Sequence, residues 1–159
     1  MGSNIDVGDH APDFTLPDHQ GNERTLSEEL ENGPVMLVFY PGDFTPVCSR
    51  QLCSYRDSYD EFAELGITIL GISDDPTDSH REFRDKKSFP FPLLSDPDHE
   101  VIDRYGGAGL LSAGSAHRAN YIIDSDGIVR YAHVEKLGVF YRDADEMLDA
   151  ARQVVGAEG

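Results

Sequence analysis

The sequence predicts an α/β fold in which a central mixed sheet is flanked by helices and preceded by an N-terminal hairpin extension. Three observations carry that expectation. Two continuous apolar runs, residues 35–40 (VMLVFY) and 67–72 (ITILGI), read as strands buried on both faces. Between them, over residues 46–65, apolar side chains at Val47, Leu52, Tyr55, Tyr59, Phe62 and Leu65 recur at the spacing of an amphipathic helix, and a helix joining two buried strands makes a parallel crossover. Near the C-terminus, Ser125-Asp126-Gly127 separates residues 119–124 from 128–134 as a hairpin turn, which adds an antiparallel edge.

The remaining elements follow in order. Residues 13–30 read as a short hairpin about Gly21-Asn22 and then the first turn of a helix capped by Ser27. Pro41-Gly42 ends the first buried strand, and Gly66 closes the long helix. Residues 76–87 suit a polar-faced helix with Pro76 in its first turn. A short strand over 91–94, a short helix over 99–105, a glycine-rich segment and a closing helix over 143–155 complete the chain. With the two short pieces at 91–94 and 99–105 set aside, the order β-α-β-α-β-β-α, following the hairpin, resembles the thioredoxin-like fold.

A chain of 159 residues suits one domain, and neither repeats nor a linker divide residues 1–159. A core of that size needs no disulfide staple, so Cys48 and Cys53 are free for chemistry. No apolar run approaches the ~18 residues of a membrane span, and the N-terminus lacks a basic stretch leading into an apolar one; a cytoplasmic protein is expected. The formal charge of −17 would be repelled by phosphate backbones and anionic lipid, which argues against nucleic acid and membrane partners. Its make-up, 19 Asp and 11 Glu against 10 Arg and 3 Lys, resembles the surfaces of cytoplasmic proteins from extreme halophiles, where molar salt screens self-repulsion to about 3 Å.

The chemically informative stretch is PGDFTPVCSRQLC, residues 41–53. Thr45-Pro46 forms a good helix start, with Thr at the N-cap and Pro at the first helical position, which puts Cys48 third in the helix. Unpaired N–H groups and the positive end of the macrodipole there favour thiolate over thiol. On these residues alone, a small buried cysteine beside an ordinary cap is the other reading. The six histidines, at 10, 19, 80, 99, 117 and 133, lack the ligand spacing of a zinc site, so neither metal nor cofactor is expected. Asp74-Asp75 and Asp96-Pro97-Asp98 read as solvated loops rather than acid/base pairs.

Pro41, Thr45 and Cys48 reproduce P-x-x-x-T-x-x-C, and on that motif the chain resembles the peroxiredoxins. The similarity continues in VGDHAPDFTLPD from Val7, FPFPLLSD from Phe89 and HRANYIID from His117, covering nearly the whole chain. The resemblance implies that Cys48 is the peroxidatic cysteine, attacking a hydroperoxide to give a sulfenic acid and water or an alcohol. Charge developing on the leaving oxygen calls for donors and a cation nearby. The resemblance assigns these roles to the Thr45 hydroxyl and to Arg118, with Pro41 walling the thiolate from solvent. A hydrogen bond to a charged partner contributes roughly 1.5 to 3 kcal/mol. Arg142 is a second candidate cation or a surface residue, and His117 borders the pocket or the solvent.

Cys53 matches the C-x-x-x-x-C spacing of bacterioferritin-comigratory-protein and peroxiredoxin Q-like members, in which the second cysteine resolves the sulfenic acid. In a helix that spacing leaves the two Cα atoms roughly 8.6 Å apart. A disulfide needs less than about 7 Å, so the helix start must unwind before the bond can close. The alternative is a one-cysteine peroxiredoxin resolved by an external thiol, since the 106–118 loop and FPFPLLSD also resemble alkyl hydroperoxide reductase E-like members. The implied partners are a hydroperoxide and a thioredoxin-like reductant, with the chain a monomer or weak homodimer. A thioredoxin-like disulfide oxidoreductase would carry C-x-x-C and a cis-proline before the third strand, and the sequence offers neither. A non-enzymatic redox-sensing or chaperone-like module on the same fold is a further reading.

Overall fold

The computed structural model describes residues 5–40, 42–43, 46–105, 119–134 and 143–158. Its element order is β1 (Thr15–Pro17), β2 (Glu23–Thr25), α1 (Leu26–Glu29), a 3-10 turn (Leu30–Asn32), β3 (Val35–Phe39), α2 (Pro46–Asp57), α3 (Tyr59–Glu64), β4 (Thr68–Ser73), α4 (Thr77–Lys87), β5 (Leu93–Ser95), α5 (Glu100–Arg104), β6 (Ala119–Ile123), β7 (Val129–Val134) and α6 (Ala144–Glu158). β1 and β2 form a separate antiparallel hairpin, and the main sheet runs β5-β4-β3-β6-β7. The β3–β4 and β4–β5 pairs are parallel, whereas β3–β6 and β6–β7 are antiparallel. This is the expected thioredoxin-like arrangement, a mixed sheet between helices with an N-terminal hairpin extension.

β3 is central and fully buried, and its period-two alternation divides the core. Met36, Val38 and Tyr40 join Leu52 and Tyr55 of α2 and Met147 and Leu148 of α6 on one side. Val35, Leu37 and Phe39 meet Phe14, Leu26, Val101 and Tyr105 on the other. The N-terminal segment crosses this second side. His10 bridges Ile128 near β7, Phe14 and Leu16 enter the core, and Asp18 bridges Leu94 of β5.

The two hairpins share one device. In each, an aspartate before the turn accepts two backbone N–H groups and then the guanidinium Nε of an arginine six residues on. Asp18 serves Gln20, Asn22 and Arg24, and Asp124 serves Asp126, Ile128 and Arg130. Burial alone would raise both carboxyls, but their arginines and backbone donors hold them below the usual carboxylate range.

Three local expectations need correction. Ser27 does not cap α1: Thr25 stands at the N-cap, and Ser27 lies inside the helix, bound through its N–H and hydroxyl to Asp13. The long helix is two helices, broken at Ser58, a residue of modest helix propensity that takes φ −110° and ψ 16°. Pro76 caps α4 in extended conformation rather than entering its first turn, consistent with its missing N–H. Gly66 does end α3, with φ +76°, its N–H on Ala63 and the Ile67 N–H on Phe62, the paired bonds of a Schellman motif.

Candidate active site

β3 delivers the chain to the start of α2, which begins at Pro46 as the Thr45-Pro46 signal predicts. Cys48 is therefore third in a 12-residue helix whose first turn carries no acidic residue, so no carboxylate there offsets the positive helix end. Phe39 at the end of β3 pairs with Ala119 at the start of β6. Hence β6 begins at the edge of the sheet where β3 hands over to α2, directly after Arg118 in sequence. Pro41, Thr45, His117, Arg118 and Arg142 lie outside the described residues, as does the side chain of Cys48.

Cys53 sits on the same helix, half-buried against the core beside α2 and α6, with a free thiol. Because α2 is continuous from Pro46 to Asp57, helical geometry separates the two cysteine Cα atoms by about 8.6 Å, beyond disulfide reach. Beneath this helix is a buried polar cluster. Gln51 Nε2 donates to the Tyr55 hydroxyl at 3.1 Å, and Asn120 Nδ2 donates to the same oxygen at 3.0 Å. Asn120 Oδ1 finds no partner among the described residues. Burial pushes the Tyr55 phenol upward, so it stays protonated through the neutral range.

A second buried network holds the chain between β3 and α2. Asp43 Oδ1 accepts the Tyr40 hydroxyl at 2.7 Å, and Oδ2 meets His80 Nδ1 at 2.8 Å and the Ser79 hydroxyl at 2.8 Å. The Asp43 N–H donates to Asp75 Oδ2, which also accepts the Ser73 hydroxyl. His80 Nε2 reaches the Leu94 carbonyl at 2.9 Å. The Tyr40 phenol is raised well above its ordinary value, by burial first and then by the Asp43 charge.

The AhpC/TSA family model matches residues 7–132. The chain belongs to the AhpC/TSA family. Among its relatives, peroxiredoxin Q of rice chloroplasts (Oryza sativa subsp. japonica) is 40% identical over 129 residues, covering 81% of this chain and 59% of that protein. The chain thus spans about three fifths of the length of the rice relatives it matches. A peroxiredoxin bcp from Coxiella burnetii is 37% identical over 131 residues, covering 79% of this chain and 85% of that one. The crystal structure of peroxidoxin BcpB from Mycobacterium tuberculosis superposes with a TM-score of 0.87 at 36% identity, covering 95% of this chain and 99% of that one.

In the two acidic stretches expected to be solvated, Asp74, Asp75 and Asp96 are structural, while Pro97 and Asp98 are exposed as expected. Asp96 is buried and accepts the Val101 and Ile102 N–H groups at the start of α5, with burial pushing its carboxyl up against the pull of those bonds. Asp74 pairs with His99 at 2.7 Å, and Asp75 supports the loop before α2. Among the described residues, the one grouping with metal-type ligand atoms within 4.8 Å of each other is Asp43, Asp75 and His80, and those atoms are engaged in the bonds just given. His80 was the residue to notice: three positions before buried Phe83, it falls on the inner face of α4. A cavity of about 360 Å³, lined by His10, Asp13, Ser27, Asp126 and others, lies by the β6–β7 turn. Since Ile123 pairs with Val35, that is the opposite end of the sheet from the start of α2.

Proposed function

We propose that this chain is a thiol-dependent peroxidase acting on hydrogen peroxide and organic hydroperoxides. The observation that carries the reading is Cys48 as the third residue of α2, at an acid-free helix start opening from the buried end of β3. Its thiolate attacks the distal peroxide oxygen; the O–O bond breaks, sulfur is oxidised to sulfenic acid, and the leaving oxygen departs as water or an alcohol once protonated. Thr45 and Arg118 supply donors to the thiolate and the developing oxyanion, and Pro41 shields them. Cys53 then displaces hydroxide from the sulfenic sulfur, giving a disulfide and water. A thioredoxin-like dithiol reduces that disulfide, becoming oxidised itself. The chain works as one cytoplasmic domain over residues 1–159, without a cofactor, as a monomer or weak homodimer.

A second reading, in which an external thiol resolves Cys48, draws support from the half-buried Cys53 and the span across an intact helix. Stopped-flow mixing with hydrogen peroxide and an alkyl hydroperoxide, with mass analysis of the products, tests both. Cys48→Ser is expected to abolish peroxide reduction, because serine supplies no comparable nucleophile. Retention of more than about a tenth of the rate would overturn the assignment.

A further inference from the structure

We propose that His80 is a positioning residue for Cys48, clamping Asp43 through a shared proton and so fixing the segment between β3 and α2. The inference rests on the peroxidase reading and names the device that holds its nucleophile. His80 is fully buried, and the Asp43 side chain is 1% exposed. The Leu94 carbonyl can only accept, so His80 Nε2 carries a hydrogen. Nδ1 then faces Asp43 Oδ2 at 2.8 Å. Two bare lone pairs cannot hold that distance, so one further proton lies between them, either as imidazolium against carboxylate or as imidazole against carboxylic acid. In both forms the pair is neutral as a whole.

Two consequences bear on Cys48. Asp43 is two residues after Pro41 and two before Thr45, inside the motif itself. Its side chain is held on α4 by Ser79 and His80, just after β3 by Tyr40, and its backbone N–H by Asp75 beyond β4. Four bonds, to α4 and to the ends of β3 and β4, thus define where the chain enters α2. The clamp also cancels the Asp43 charge, a carboxylate that would otherwise stand five residues before the thiolate and oppose it. In a chain of net charge −17, an unneutralised acid at this position works directly against the helix end.

The test compares His80→Asn with His80→Gln, using the full chain in both. The Asn amide reaches the position of Nδ1 and keeps a donor to Asp43, whereas the Gln amide reaches that of Nε2, keeps Leu94 and leaves Asp43 bare. Cys48 is read by its thiolate absorbance against pH, by its alkylation rate with iodoacetamide and by its oxidation rate with hydrogen peroxide; thermal midpoints and amide exchange over residues 42–50 report the fold. The clamp predicts that His80→Gln slows oxidation and alkylation by about tenfold or more, raises the pH needed for thiolate and speeds exchange, while His80→Asn, which keeps the donor to Asp43 but not the neutralising proton, keeps exchange within about threefold of wild type and raises the thiolate pH less. Adding Asp43→Asn to His80→Gln should restore the thiolate titration by removing the bare charge. The proposal is overturned if His80→Gln matches wild type, if the two variants exchange equally fast over residues 42–50, or if Asp43→Asn restores nothing. A wild-type Cys48 that alkylates quickly but ignores peroxide would overturn the peroxidase reading alone, and exchange and alkylation would still decide the clamp.

Discussion

Asn120 of β6 hands its side-chain amide to the hydroxyl of Tyr55 in α2 across 3.0 Å, wholly inside the protein. Gln51, placed between the two cysteines, donates to the same oxygen. The cluster therefore bolts α2 to the sheet just beyond the turns that must unwind if Cys48 and Cys53 are to bond. Tyr55→Phe removes the acceptor shared by both amides and should lower stability by about 1–3 kcal/mol. Because the loss falls on the closed helix, closure of the disulfide after a peroxide pulse should be faster than in wild type. Lower stability with unchanged closure would make the cluster core packing and nothing more.

Cys53→Ser separates the two modes of resolution. The first oxidation should be nearly unchanged, while turnover with thioredoxin falls and excess peroxide carries Cys48 on to sulfinic acid, a gain of two oxygens by mass. Wild type should instead lose two hydrogens and exchange amides faster around residues 46–54 once oxidised. Normal turnover of the variant, with no disulfide in wild type, would identify an external thiol as the resolving group.

Arg118→Ala should slow Cys48 oxidation by about 10²-fold or more, the usual effect of losing one transition-state donor. The thiolate titration should move upward with it. An unaltered rate would remove Arg118 from the proposed site.

The aspartate–arginine turns give a pH dependence with a definite sign. Asp18 and Asp124 have folded-state values below the ordinary 3.8, so their contribution is complete above that pH and is lost as pH falls through the lower folded value. Asp18→Asn should therefore destabilise by about 1–3 kcal/mol at pH 7. The gap from wild type should hold steady down to about pH 5 and narrow below pH 4. Urea titrations across that range check it, and a gap that widens in acid would reverse the assignment.

Charge repulsion across a −17 surface should make stability rise with salt. We expect the thermal midpoint to increase between about 0.1 M and about 2 M KCl, as the screening length shrinks toward about 3 Å. A flat profile would count against a halophile-type surface.

The two central parallel strands were legible because they are nearly continuous apolar runs; residues 35–39 and 68–73 fall within one residue of where patterning puts them. The helix start was legible for a local reason also, since Thr-Pro at a helix entry is a statement about φ angles and missing N–H groups. What patterning could not supply was long-range pairing of polar groups. Asp43 and His80 are 37 residues apart, and Tyr55 and Asn120 65 apart, so no periodicity relates them. Asp96 failed differently: Asp-Pro-Asp has the composition of a loop, yet its first carboxylate is buried under α5. Ser58 interrupts an apolar spacing that continues unbroken through it, so the pattern ran two helices together.

The crossing of the sheet by the N-terminal segment couples two places that are usually independent. Backbone pairing at Gly8, His10 and Ala11 shields the start of β7, and Asp18 shields β5, with Phe14 and Leu16 seated between. Peeling this strap away would uncover both margins of the sheet in one event, together with the apolar groove it fills, offering unsatisfied strands on either side to a neighbouring molecule. Self-association and proteolytic nicking at the N-terminus are thereby linked, and resistance to both depends on the same ten or so residues staying in place.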